Sequence, residues 1–95
     1  MAGSIRGKVV EISESGDAIT DVEVSRLGEV PTDERVTVTC EGHVTSCLFP
    51  PDHQQPAMTF LAVLGDEGFL RLQLVGDDVS AFLGIRPGSQ VSIRW

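Results

Sequence analysis

The sequence predicts an all-β protein: a small, closed or partly open β-barrel of about six to seven short strands, with one short helix near the C-terminal end. Val, Ile and Leu alternate with polar residues in several short segments, and Gly and Pro turns separate these segments. Only one segment combines helical spacing with helix caps. A chain of 95 residues supports one hydrophobic core, so a single domain over residues 1–95 is expected. A barrel is preferred because closure removes free sheet edges.

The N-terminal half contains four predicted strands. The clearest covers residues 35–41, where Val36, Val38 and Cys40 alternate with polar residues. In the second strand the apolar residues change parity, which predicts a β-bulge or a change of face. A short helical turn is expected at residues 25–27. The four strands are expected at residues 5–12, about 17–24, 35–41 and 43–49.

The C-terminal half begins after the loop PPDHQQP, whose prolines interrupt strand pairing. The helix is expected at residues 77–83, because Asp77 or Asp78 can cap its start and Gly84 can end it. Its predicted apolar stripe consists of Val79, Phe82 and Leu83. Strands are expected at residues 58–64, 69–75 and 90–95.

Four residues of the metal-binding types lie close in sequence: Cys40, His43, Cys47 and His53. A two-residue hairpin loop pairs Cys40 with His43 and places Cys47 opposite Val36, about 13 Å from Cys40 along the sheet. A three-residue loop points the two cysteines to opposite faces. Both registers disfavour a zinc site and a disulfide. Free thiols and no metal are therefore expected, with His53 in a surface loop. A cytoplasmic location is expected separately, because no apolar stretch is long enough to span a membrane and no apolar signal core follows the start MAGSIRGK.

Catalytic and nucleic-acid signals are weak. The adjacent carboxylates in Asp66-Glu67 and Asp77-Asp78 do not face each other, so turns and caps explain them. No glycine-rich phosphate loop or nucleophile elbow is present. A net charge of −7, with 14 acidic and 7 basic residues, disfavours nucleic acid as a partner. No apolar stretch reaches the length of a membrane span. The chain alone is not expected to be an enzyme, and no cofactor is expected.

The order of motifs resembles a known domain. The stretch GKVVEISESGDAITDV resembles the opening of the C-terminal domain of the S-adenosylmethionine hydroxide adenosyltransferases and their halogenating relatives. The stretch FLAVLGDEGFLRLQLVGDDVSAFLGIRPGSQVSIRW is similar to that domain's end. The shared features are two strands around a small polar turn, a short helix closed by Leu-Gly, a Pro-Gly turn and a final V-x-I strand.

The resemblance implies a compact β-barrel that forms one wall of an adenosylmethionine pocket at a subunit interface. The family's N-terminal domain supplies the other wall and the groups that activate water or halide, and no segment of this chain corresponds to it. The positions that the resemblance assigns to the ligand wall are Ser13, Ser15, Asp17, Asp21, Asp66 and Glu67.

These positions depart from the family pattern. Ser13 replaces an aspartate, Ser15 replaces an aromatic residue, and Asp17 and Asp21 replace asparagines. A carboxylate only accepts hydrogen bonds, and a serine cannot stack on adenine. The resemblance therefore implies a kept fold with a degenerate ligand site and at most weak adenosyl binding.

Three functions stay open. The first is a stand-alone binding or interaction module that associates with itself or with a separate protein. The second is a separately encoded half of an adenosylmethionine-cleaving enzyme, which needs an N-terminal-type partner. The third is an unrelated small barrel with an unknown ligand.

Overall fold

A computed structural model, which describes residues 3–95, shows eight strands curled into one nearly closed barrel. The strands lie in the spatial order β4-β3-β8-β1-β2-β7-β6-β5. Their bounds are β1 Ser4–Ile12, β2 Ala18–Glu23, β3 Thr37–Cys40, β4 His43–Ser46, β5 Leu48–Phe49, β6 Phe60–Leu64, β7 Phe69–Leu74 and β8 Gln90–Arg94. The predicted barrel with one short C-terminal helix is confirmed.

The chain itself brings the two ends of the sheet together. Strands β4 and β5 are outermost in the sheet but are separated in sequence only by Cys47, whose φ of 73° breaks the strand predicted at 43–49 into two. β5 then pairs in parallel with β6. The Thr45 hydroxyl on β4 donates to the Phe60 carbonyl on β6 at 2.9 Å. This corner explains why there are eight strands and not seven.

The barrel interior contains the alternating residues that the sequence indicates. Val36, Val38 and Cys40 are all buried, as are Leu70 and Leu72 on β7. They belong to one continuous core cluster. Every strand except β4 contributes at least one buried residue to this cluster. One core is consistent with the size of the chain.

Strand β2 carries the predicted bulge. Its register against β7 shifts between Ile19 and Glu23. The buried Thr20 hydroxyl donates to the Leu70 carbonyl at 2.8 Å and accepts from the Val22 amide at 3.2 Å. The side chain thus satisfies backbone groups that the bulge removes from the ladder. Ala18, Thr20 and Val22 are all buried, so β2 keeps one inward face across this irregularity.

The two helical segments lie where the caps and spacing predict them. A 3₁₀ turn covers Val24–Leu27 and follows β2 directly. Helix α1, Val79–Leu83, begins at Asp78, whose carboxylate accepts from the amides of Ser80 at 2.7 Å and Ala81 at 3.1 Å. It ends at Gly84, whose φ of 71° is the left-handed conformation that glycine favours.

The predicted apolar stripe of this helix is wrong at Phe82, which is 56% exposed. A five-residue helix contacts the barrel over little more than one turn. Val79, fully buried, and Leu83 lie about 40° apart around its axis and fill that contact. Phe82 therefore stays at the surface.

The hairpin register is the one that a two-residue loop gives. Cys40 pairs with His43, and the Cys47 amide bonds to the Val36 carbonyl at 3.3 Å. Both loop residues, Glu41 and Gly42, have positive φ, as a type I′ turn requires. Both cysteines are free thiols in the structure.

Residues 3 and 95 lie side by side. The Gly3 amide donates to the Trp95 carbonyl at 2.8 Å, and the Trp95 amide donates back to the Gly3 carbonyl at 3.1 Å. These bonds extend the β1–β8 pair by one residue on each strand. Within residues 3–95, no helix is both long enough and apolar enough to cross a membrane.

Candidate functional site

Most of the positions that the resemblance selects meet at one end of the barrel. Strands β2 and β7 pair so that Ile19 lies opposite Arg71. The turn before β2 carries Asp17, and the turn before β7 carries Glu67. We call the group formed by Ser13, Ser15, Asp17, Asp66, Glu67 and Arg71 the Arg71 cluster.

Arg71 is the centre of the cluster and was not selected from the sequence. One guanidinium nitrogen, Nη1, lies 3.4 Å from Asp17 Oδ2, and the other, Nη2, lies 2.7 Å from Glu67 Oε1. The side chains of Arg71 and Asp17 are only 19% and 10% exposed, whereas that of Glu67 is 67% exposed. The alternation of β7 places Arg71 on the outer face of the barrel. Its buried partner, Asp17, comes from the turn between β1 and β2.

Asp17 is almost fully buried, and burial raises its pKa from the ordinary value of 3.8. The charge and hydrogen bond of Arg71, and then the hydrogen bond of Ser15, act in the opposite direction. Burial is the larger effect because the contact between Asp17 and Arg71 is long for a charged pair. The carboxylate is therefore almost fully buried beside Arg71.

The two serines stabilise the β1–β2 turn. The hydroxyls of Ser13 and Ser15 lie 2.9 Å apart and share a hydrogen bond. Ser13 Oγ also accepts from the Asp17 amide at 3.1 Å, and the Ser13 amide donates to the Asp17 carbonyl at 2.8 Å. These are the local hydrogen bonds by which serine commonly fixes a turn.

The space beside the cluster is small. A depression of about 70 Å³ lies next to Asp17, Asp66 and Arg71. Pockets for drug-sized ligands usually measure about 300–1,000 Å³. The depression therefore has room for a few atoms and not for an adenosyl group.

His53, in the proline-rich loop, contacts the wall of this depression. Its Nε2 lies 2.6 Å from Oε1 of Gln73, which lines the depression. The Gln55 amide donates to Nδ1 of His53 at 3.2 Å. Nδ1 is thus an acceptor, and Nε2 carries the hydrogen that it donates to Gln73.

The proline-rich loop holds His53 in place by folding back over the outer face of β6. Leu61 and Val63 are buried although they alternate with the inward Ala62. Leu61 pairs with Gln73, and Pro51 and Val63 line the same depression. The nearly continuous apolar run of β6 was a sequence signal that both faces of this strand are covered.

Asp21 lies outside the Arg71 cluster. It is on the exposed outer face of β2, where its Oδ1 accepts from the Lys8 amide at 2.9 Å. The structure therefore divides the predicted ligand wall into the Arg71 cluster and one residue on the side of the barrel.

The cluster does not present an evident nucleophile paired with a base. The carboxylates of Asp17 and Glu67 contact the Arg71 guanidinium, and His53 beside the cluster contacts an amide. Cys40 is buried, which raises the pKa of its thiol to about 11. Among residues 3–95, no three His, Cys, Asp or Glu side chains converge in a way that suits a metal ion.

Comparison with known proteins identifies similar folds but no named activity. No family model matches the sequence, and no curated protein matches it. The chain is similar in structure to a conserved hypothetical protein from Thermus thermophilus, with a TM-score of 0.67 and 19% identity over 93% of this chain and 34% of that one. It is also similar to an uncharacterized conserved protein from Thermotoga maritima, with a TM-score of 0.72 and 18% identity over 93% of this chain and 35% of that one.

The chain thus spans about a third of the length of each of these proteins. At such identities the likeness shows a shared fold. Nearly all of the barrel corresponds to one part of each longer chain.

Proposed function

We propose that the chain is a non-catalytic binding module. It resembles the substrate-binding C-terminal domain of the S-adenosylmethionine hydroxide adenosyltransferases, it has lost the adenosyl site of that domain, and it associates with a separate protein. The observation that carries the proposal is the engagement of Asp17 and Glu67 with Arg71. These side chains are partners of one another, and the depression beside Asp17 and Arg71, about 70 Å³, is smaller than an adenosyl ligand needs.

The chemistry of the cluster supports the loss of adenosyl binding. Ser15 provides no ring for stacking on adenine. Asp17 is 7% exposed, and an ionised carboxylate cannot donate the hydrogen bonds that an amide gives. Opening the cluster for a ligand would break the contacts of Arg71 and leave a buried carboxylate without its partner.

The comparison in length supports association with another protein. The barrel matches one third of each of the two longer proteins. When a barrel is one part of a longer chain, one side of the barrel can pack against the rest of that chain. By this comparison, the corresponding side of the barrel is the one that another protein would contact.

Calorimetric titration tests the loss of the adenosyl site. We expect S-adenosylmethionine and adenosine to bind no more tightly than about millimolar, equivalent to about 4 kcal/mol. A chromatographic assay should detect no release of adenosine from S-adenosylmethionine. Micromolar binding by the wild-type chain, lost in Asp17→Asn and kept in Asp33→Asn, would show instead that the cluster is a working site.

The second candidate is a separately encoded half of an adenosylmethionine-cleaving enzyme. The fractional length of the match favours it, because the barrel corresponds to only about a third of each of the longer proteins. Mixing this chain with a candidate N-terminal-type protein should then produce adenosine that neither protein produces alone. An unchanged rate on mixing argues against this candidate and leaves the binding module in place.

A further inference from the structure

A groove separate from the Arg71 depression crosses the outer face of β1, β2 and β7. It has a volume of about 310 Å³, at the lower limit of ligand pockets. We call it the Phe69 groove. Its lining residues are Val10, Glu11, Ile19, Thr20, Asp21, Glu67 and Phe69.

Two strand irregularities shape the groove. The register of β1 against β2 shifts between Val9 and Glu11, so Val10 is the extra residue of a bulge. The register of β2 against β7 shifts between Ile19 and Glu23. Bulges bend strands and redirect side chains, and they are frequent beside functional sites. Val10 faces outward by ordinary alternation after the buried Val9, and the bulge leaves the next residue, Glu11, exposed as well.

The groove exposes apolar surface. Val10 is 46% exposed and Phe69 is 39% exposed, and Ile19 between them is half-buried. Among residues 3–95 only five large hydrophobic side chains are markedly exposed, and two of them line this groove. A polar rim around exposed apolar side chains is typical of a surface that another protein covers.

The rim carries one sign of charge. Glu11, Asp21 and Glu67 line the groove, and its lining contains no Lys or Arg. Glu67 forms an ion pair with Arg71. Glu11 and Asp21 are both exposed. The net charge of −7 strengthens this field at long range. Nucleic acids and anionic membranes are therefore repelled, and a cationic protein segment is attracted.

We infer that the Phe69 groove binds a peptide segment of a partner protein that presents an apolar side chain flanked by Lys or Arg. The apolar side chain covers Phe69 and Val10, and the flanking cations face Glu11 and Asp21. This inference rests on the proposed function and adds to it the surface used and the chemistry of the partner. Two of the positions that the resemblance selected, Asp21 and Glu67, belong to this groove.

Fluorescence anisotropy with a defined peptide tests the inference. The probe is a fluorescein-labelled peptide of sequence Lys-Arg-Phe-Leu-Arg-Lys, titrated with the wild-type chain. One control peptide replaces Phe-Leu by Ser-Ser, and the other replaces every cation by Glu. We expect the probe to bind at least about 10-fold more tightly than either control, and to weaken when NaCl rises from about 0.05 M to about 0.5 M.

Matched substitutions locate the binding. Phe69→Ser and Val10→Asn should each weaken binding of the probe by at least about 5-fold, whereas Phe82→Ser and Val44→Asn should change it by less than about 2-fold. Phe82 and Val44 are 56% and 61% exposed but lie outside the groove. Glu11→Lys should weaken binding more than Glu34→Lys, which makes the same charge change on another exposed side chain. Circular dichroism confirms that each variant is folded.

Equal effects at the groove and control positions, or equal affinity for all three peptides, would overturn the inference. This outcome is distinct from failure of the proposed function. Micromolar binding of S-adenosylmethionine would contradict the proposed function whatever the peptide does. Peptide binding that is lost in Phe69→Ser supports the groove in either case.

Discussion

Arg71 and Asp17 are 54 positions apart in the chain, yet Nη1 of the first lies 3.4 Å from Oδ2 of the second. The contact joins strand β7 to the turn before β2. It places a positive charge beside a carboxylate that is almost fully buried. Asp17, which the resemblance assigns to the ligand wall, therefore helps to hold two parts of the barrel together.

Arg71→Met should destabilise the protein by about 1–3 kcal/mol, because it leaves the buried Asp17 carboxylate without its charged partner. The free energy of unfolding in urea measures the loss. Arg35→Met is the control, since Arg35 also contacts a carboxylate, that of Asp33, but its side chain is 75% exposed. An equally large loss in both variants would show that the contact of Arg71 with Asp17 contributes no more to the free energy of unfolding than an exposed ion pair does.

The stability should depend on pH through Asp17. Burial raises the pKa of Asp17 above 3.8, so the folded state holds this proton more tightly than the unfolded state. The contribution of Asp17 to the free energy of unfolding is therefore most favourable below 3.8 and falls as pH rises through the folded-state pKa. Urea unfolding from about pH 3.5 to about pH 6 should give a difference, Asp17→Asn minus wild type, that rises with pH.

Asp33→Asn provides the opposite sign as a control for this titration. Hydrogen bonds from Arg35 lower the pKa of Asp33 from 3.8. The stability that ionised Asp33 contributes is present above 3.8 and is lost as pH falls through its folded-state pKa. The difference, Asp33→Asn minus wild type, should therefore fall with rising pH. The same dependence on pH in both variants would show that burial does not set the pKa of Asp17.

The two thiols should differ in reactivity. Cys40 is 1% exposed and its pKa is raised to about 11, so only about 0.1% of it is thiolate near pH 8. Cys47 is half-buried at the strand corner. An aromatic disulfide reagent should modify one thiol quickly in the folded protein and the second only in urea, and Cys47→Ser should remove the quick reaction. Two equal rates without urea would contradict the burial of Cys40.

The corner at Cys47 should tolerate glycine and reject a β-branched residue. Its φ of 73° is unfavourable for a side chain with two groups on Cβ. We expect Cys47→Gly to be about 1–2 kcal/mol more stable than Cys47→Val in urea unfolding. Val44→Gly and Val44→Thr on β4 form the comparison, where the β-branched residue should be the more stable. A more stable Cys47→Val would show that the corner relaxes to an extended strand.

Thr45→Val should weaken the closure of the barrel. It removes the hydrogen bond to the Phe60 carbonyl at nearly constant volume and should cost about 0.5–1.5 kcal/mol. Hydrogen exchange should accelerate in β4 and β6 and stay unchanged in β1 and β8. Thr39→Val on β3 is the control. Accelerated exchange in every strand would indicate loss of global stability and not a local opening.

The features that the sequence predicts well are those set by neighbouring residues. The hairpin register follows from the Glu41-Gly42 turn, and the helix follows from Asp78 and Gly84. The spacing of the apolar residues in β2 indicated an irregularity, and a register shift lies there, although the buried residues keep their regular alternation. Each depends on backbone preferences or caps within a few positions of the chain.

The features that the sequence does not reveal depend on distant contacts. The sequence places Arg71 on the outer face of a strand, but it does not show that Asp17 lies beside it in the folded protein. The sequence places His53 in a loop, but it does not show that this loop packs over β6 and that His53 contacts Gln73. Cys47 interrupts an otherwise acceptable strand because the chain must pass from one end of the sheet to the other. Local propensity has no information on any of these pairings.

The mutual hydrogen bonds of Gly3 and Trp95 make the barrel a suitable unit for insertion and permutation. Because the two positions are adjacent, a host protein could carry the barrel in a surface loop without separating the two ends of that loop. A short Gly/Ser linker could equally join residue 95 to residue 3, with new ends opened in the exposed Glu41-Gly42 turn. Fusion partners attached at the two ends would emerge side by side, at a distance suited to energy-transfer reporters.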